Sequence, residues 1–185
     1  MRTKWINMGL CAGLLLSGRV VLGDRPPAGA AETQHESDDQ GFLEKALGVN
    51  QLELQLGQLA AQRATTPEVT AMGQKMVEKH TELGQQLAEL ARQAGGSGKA
   101  ELSSDQRSIY DRVASQSGSA FDSVFKEVVD AGHVKELAMY RDEVPRAKSA
   151  ALRELAQARV AKLQETVAQA HAQAPKAKPE PAHDW

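Results

Sequence analysis

Only one cysteine occurs in the 185 residues, Cys11, so no intrachain disulfide and no cysteine metal cluster can form. Aromatic residues make up 4%. A core must therefore come from Leu, Val, Ala and Met, as it does in many helix bundles. Charge of one sign is also scarce: the formal net charge is −2, with acids and bases interspersed. That excludes the basic stripe a nucleic-acid binder needs and leaves an ordinary solvated surface. No apolar run reaches the ~20 residues that span a bilayer. Strand-like alternation, a Gly-rich phosphate loop and a nucleophile elbow are all missing.

What is present begins with an address. Arg2 and Lys4 precede an apolar stretch from Met8 to Leu16, and small residues follow, the order of a secretory signal peptide. Residues 1–23 are assigned to it, with cleavage after Gly23 or as late as Ala30. Met8-Gly9-Leu10 before Cys11 lacks the small residues of a lipoprotein site, so after cleavage no thiol remains and no transmembrane anchor is expected. Residues 24–40, with Pro26-Pro27 and no apolar period, read as a flexible leader. Residues 174–185 alternate Pro, Lys, Ala and Glu and read as a disordered tail. Export places the chain in the periplasm of a two-membrane bacterium, with possible association with the outer membrane.

Between leader and tail, residues 41–173 carry dense helical periodicity. The first helix is expected from Gly41 to Arg63, behind the potential caps Ser37, Asp38 and Asp39. Phe42, Ala46, Val49, Leu56 and Ala60 form its stripe, while Leu43, Leu47 and Leu54 either widen that stripe or offer a self-association face. Thr65-Thr66-Pro67-Glu68 supplies a cap, an N-terminal proline and an acid, which restart a helix at once and force an antiparallel hairpin. Val69, Met76, Leu83, Leu87 and Leu90 continue the seam until Gly95-Gly96. Ser103-Ser104-Asp105-Gln106 resembles a capping box and opens a short helix through Ala114. A fourth helix, Ser119 to Asp142, carries Phe121, Val124, Phe125, Val128 and Ala131. Pro145 breaks the chain, and a last helix lines up Leu152, Leu155, Val160, Leu163 and Val167.

Several of these segments also carry a resemblance. Phe42-Leu43, Glu53 through Leu56-Gly57-Gln58-Leu59-Ala60, Thr66-Pro67-Glu68-Val69, Met76-Val77 with His80-Thr81, and Gly118-Ser119-Ala120-Phe121-Asp122 with His133 occur in order. Together they resemble the exported bacterial ferritin-like bundles classed as a domain of unknown function and often labelled outer-membrane proteins. The resemblance covers about Gly41 to Ala172. It implies an all-α fold, a ferritin-like up-and-down four-helix bundle with one short extra connecting helix. It implies little biochemistry. Gln55 stands where the family often has a second Glu, and Val160-Ala161 and Thr166 replace a Leu-Pro and a later His.

Catalytic di-iron bundles need a Glu from each of two helices and Glu-x-x-His from the other two. Here Val77 precedes His80 and Asp130 precedes His133, so the set is incomplete. A smaller constellation stands out. Glu53 and His80 both lie on apolar stripes, ~18 Å and ~21 Å along their helices from the Thr65-Thr66 hairpin. If the short helix carries the chain back to the hairpin end, His133 reaches the same layer, at the edge of its helix's apolar face, with Glu136 closer to the centre. Glu53, His80 and His133 are the candidate ligands of a single zinc, iron or copper ion. The plainer alternative is a buried Glu–His hydrogen bond with no cofactor. His35, His171 and His183 read as solvated, and Tyr110 and Tyr140 as half-buried packing residues. No catalytic residue is assigned. The expected role is non-enzymatic, binding an unknown protein or small ligand or serving envelope stress, with a metal-dependent oxidoreductase and a periplasmic chaperone as the alternatives.

Overall fold

A computed structural model describes the backbone of residues 28–173 and the side chains of residues 39–172. The expected signal peptide over 1–23 and tail over 174–185 lie outside the described residues. Five helices make up the described chain: α1 (Ala28–Arg63), α2 (Pro67–Gln93), α3 (Ser104–Ala114), α4 (Gly118–Glu143) and α5 (Ala150–Gln173). No strand occurs among the described residues, and no helix there is long and apolar enough to cross a membrane. The all-α expectation of four long helices and one short one holds.

Local signals fix most boundaries. Thr66 caps α2, its hydroxyl accepting from the Val69 N–H, with Pro67 as the first helical residue. Ser103 and Gln106 form the reciprocal capping box that starts α3. Gly95 and Gly98, at φ of 81° and 64°, turn the chain out of α2 where a side chain would be strained.

The N-terminal boundary differs from the expectation. Helix α1 begins at Ala28, inside the segment read as a flexible leader over 24–40. Pro27 lies just before the first helical residue, and Ala28, Ala30, Ala31, Glu32 and Gln34 are helix formers that offset Gly29 in the first turn. Asp39 does not cap α1. Its carboxylate accepts from the Lys148 and Ser149 N–H groups at 2.9 and 2.8 Å and so ties α1 to the start of α5.

Helices α1 and α2 form the expected antiparallel hairpin, and glycines let it close. A Cβ built on Gly73 would meet Ala61 N, Ala60 Cβ and Gly57 O at 2.6, 2.7 and 2.7 Å. Two of those atoms belong to the facing backbone, which can yield only if the helices separate. Gly73→Ala is therefore expected to destabilise the protein by about 1–3 kcal/mol despite alanine's better helix propensity. Urea denaturation checks this, and an unchanged or higher midpoint would refute the close approach.

The α2–α3 segment returns the chain to the hairpin end. There Arg63 donates to Ala114 O and Gln116 O at 2.8 and 2.7 Å. Asp122, near the start of α4, accepts from the N–H and hydroxyl of both Thr65 and Thr66 at 2.8–2.9 Å. These donors, the Thr65 backbone N–H foremost, hold its carboxyl below the usual range. The latch sets α4 running antiparallel to α1 and parallel to α2, and α5 then runs back along α4.

Two apolar clusters result. One joins Leu43, Leu47, Leu83, Leu87, Leu137 and Leu152 among others, and the second joins Leu56, Val69, Met76, Val113, Phe121 and Phe125 among others. Leu43 and Leu47 are 1% and 2% exposed, so they widen the seam and do not form an outer face. On α4 the buried face runs through Phe121, Phe125, Val129, His133, Leu137 and Tyr140, and Ala131 is exposed. Of the expected stripe, Phe121 and Phe125 are fully buried, Val124 and Val128 half-buried against the same cluster and Ala131 exposed, so the face turns from Ala131 toward Val129. Tyr140 is fully buried, not half-buried, and meets the Phe42 ring edge-on at 5.4 Å.

A candidate metal centre between two apolar layers

The apolar clusters are separated along α1, α2 and α4 by polar residues. Helix α1 supplies Asn50 and Glu53, one turn apart on its inner face. Helix α2 supplies His80, between Met76 and Leu83. Helix α4 supplies His133 and Glu136, and α5 supplies Arg159. Asn50, Glu53, His80, His133 and Glu136 are all buried. The antiparallel hairpin and the returning α4 bring Glu53, His80 and His133 to one level, so that one potential ligand atom from each lies within 4.8 Å of the others. His133, at 9% the most exposed of the buried α4 residues, lies toward the edge of its helix's buried face, with Glu136, at 3%, closer to the centre, as the sequence placed them.

Contacts inside the layer are uneven. His80 Nδ1 lies 3.3 Å from Glu53 Oε2, and His133 Nε2 lies 3.9 Å from Glu53 Oε1. Neither Glu53 oxygen has a hydrogen-bond partner. Asn50 Nδ2 donates to the His80 carbonyl at 2.9 Å, which turns Asn50 Oδ1 toward His80 Nδ1 at 3.0 Å. With the carboxamide so fixed, Nδ1 carries the proton and donates it, and the lone pair falls on Nε2. Room for Asn50 comes from Gly84, where a Cβ would stand 2.7 Å from Asn50 Nδ2. On the α4–α5 side, Arg159 Nη2 meets Glu136 Oε1 at 2.6 Å. The guanidinium lies 5.8 Å from the Tyr140 ring centre.

Electrostatics follow from burial. Glu53 is pushed well up by desolvation and by the neighbouring Glu136, with Arg159 acting the other way. Burial, then Arg159 and His133, lowers His80 to about 3. Burial and Arg159 lower His133 to about 4. Both imidazoles are thus neutral near pH 7, with a lone pair each. Glu136 is raised by burial against the opposing Arg159 charge. Burial acts against the Arg159 cation, but Glu136 and the other neighbours outweigh it and hold the guanidinium charged.

A buried carboxylate with no hydrogen bonds of its own beside two neutral imidazoles is a donor set of the type that takes zinc, iron or copper. His80 would ligate through Nε2, or through Nδ1 once the Asn50 bond is given up. Tetrahedral zinc, with bonds of about 2.0–2.2 Å, spaces its ligand atoms roughly 3.3–3.6 Å apart. The Glu53, His80 and His133 atoms, within 4.8 Å of one another, would have to draw together around a bound ion. This buried group can hold a metal ion.

A family model described as "Domain of unknown function (DUF4142)" matches residues 24–173. The chain belongs to that family. The DUF4142 span takes in all five helices and every residue of the polar layer. No curated protein and no solved structure matches the chain.

Sequence reasoning found three members of the layer, with Glu136 as a fourth near the face. It missed Asn50 and Arg159. Both carried a signal: Asn50 follows Ala46 and Leu47 and precedes Glu53 on an otherwise apolar face, and Arg159 lies between Ala156 and Leu163, both buried. Polar residues at core positions of neighbouring helices mark a shared layer.

Proposed function

We propose that this is an exported, periplasmic helical-bundle protein of the ferritin-like kind that binds one transition-metal ion through Glu53, His80 and His133, without turning over a substrate. The observation that carries this reading is Glu53: a buried carboxylate with both oxygens unbonded, between two neutral imidazoles. Burying such a group without partners costs free energy, and a cation beside it supplies the missing charge and bonds. The hydrogen-bond alternative is weaker, because the 3.3 Å contact to His80 does not satisfy Glu53. Glu136 is neutralised separately by Arg159 and stands beside the ligand set, not in it.

The chaperone reading lacks the surface it needs. Among the described residues Val134 is the one exposed large apolar side chain, and one residue makes no patch.

Elemental analysis of the untagged full chain, followed by titration with zinc, iron and copper, tests the proposal. One ion per chain is expected, with a rise in melting temperature equivalent to about 2.7 kcal/mol at a hundredfold excess over the dissociation constant. Glu53→Gln is expected to fold at least as well as the metal-free parent, since it removes a disfavoured charge, and to lose the metal-dependent rise. Failure of all three ions to bind or to shift melting would leave only a buried polar layer.

A further inference from the structure

A groove between α1, α3 and α4 runs inward from solvent to Glu53. Its volume is about 150 Å³, and Leu52, Leu56, Ile109, Val128 and Val129 wall it. Its exposed charges are Arg112 and Glu127, paired at 2.9 Å, and Lys135, and Glu53 is the one buried ionisable group in its lining. At its inner end Glu53 and Gly132 close it.

Gly132 is the informative residue. It lies inside α4, where glycine costs roughly 0.5–1 kcal/mol relative to alanine. Crowding does not require it, since a Cβ there would meet only Glu53 Oε1, at an ordinary 3.7 Å. A side chain at this point would instead stand between the groove and the unbonded Glu53 oxygen. Apolar cavities of about 150 Å³ take xenon or benzene. Apolar walls would strip the hydration from an ion without replacing it.

We infer that this groove is a binding pocket for a small uncharged apolar molecule, no larger than about benzene, and that it is the route by which such a molecule reaches the metal centre at Glu53. The pocket stands on its own walls. The route rests on the metal-binding reading above. Its ligand class is set by volume and lining: diatomic gases and small apolar organics fit, and carboxylates, phosphates and sugars do not.

Methyl NMR of the metal-free full chain under xenon pressure tests the pocket. Shifts are expected at Leu52, Leu56, Ile109, Val128 and Val129 and not at Leu152 or Leu163 of the other cluster. Gly132→Leu is expected to abolish them. Should that variant fail to fold, Gly132→Ala, expected to melt at or above the parent temperature, should weaken them. Absence of groove shifts, or equal shifts in both clusters, overturns the pocket. For the route, nitric oxide is mixed with the iron(II)-loaded chain, and its combination is expected to be several-fold slower in the Gly132 variants. Equal rates overturn the route. A chain that takes up no iron overturns the route, failure of zinc and copper as well overturns the metal-binding reading, and the xenon result still decides the pocket.

Discussion

Arg159→Met is expected to destabilise the protein by about 3–5 kcal/mol, the usual cost of leaving one member of a buried ion pair without its partner. The pair is short, at 2.6 Å, and its acid is 2% exposed. Arg159 also offsets the field of Glu136 at Glu53. Its loss would leave two buried acids and no cation. Glu136→Leu in the same chain is expected to recover most of the loss, because a buried pair replaced by apolar groups is often neutral or stabilising. Glu136→Leu alone should cost less than Arg159→Met, since Arg159 is 17% exposed and can carry its charge toward water. Urea midpoints of the three variants decide it, and a double variant no better than Arg159→Met would place the energy elsewhere. The same substitution should raise the pKa of both histidines, because Arg159 lowers each. Proton-detected NMR titration would read that shift independently of stability.

In the metal-free protein His80 and His133 are expected to withdraw several kcal/mol of stability as the pH is lowered from about 6.5 toward 4, at roughly 1.36 kcal/mol per unit of pKa difference, against an opposite trend from the buried acids. His80 and His133 fall from an ordinary 6.5 to about 3 and about 4 when folded. Below 6.5 the unfolded chain binds protons that the folded chain refuses, so stability is full above that value and drains as the pH falls. Glu53 and Glu136 act with the opposite sign. Their folded values are raised above 4.5, so the stability they contribute is present below 4.5 and is lost as the pH rises through the folded values. A bound cation favours ionised Glu53 and should flatten that upper limb. The denaturation midpoint followed across this range, with and without added zinc, measures both limbs. Because the two buried acids oppose the histidines between pH 4.5 and 6.5, the acid limb is read as the difference between the parent and a chain with glutamine at 80 and 133. No pH-dependent difference would show that the imidazoles are not held neutral. Glutamine at positions 80 and 133 should remove the acid limb.

The proposal of a metal site over a plain hydrogen bond rests on one contact. From residues alone, Glu53 and His80 on facing stripes fit either reading, because hydrogen-bond alignment is a matter of side-chain rotation. The structure places them 3.3 Å apart without satisfying either Glu53 oxygen. A lone buried carboxylate of this kind is what a cation would complete.

The sequence by itself determined the helices, their order and most of their ends, since Thr66-Pro67, Ser103 with Gln106, and Gly95 act within a few residues of where they stand. It also set Glu53 and His80 at one level, because the rise per residue and a tight hairpin leave little freedom along the helix axis. His133 joined them only because the Asp122 contacts bring the start of α4 back to the hairpin. Rotation about that axis was another matter. It turned Val129 into the α4 face and Ala131 out of it, sent Leu43 and Leu47 into the core, and gave Asp39 to the start of α5. Each of those outcomes depends on which neighbour a helix leans against, and that is fixed by contacts such as the Asp122 latch and the glycine-lined α1–α2 crossing, which join residues far apart in the chain.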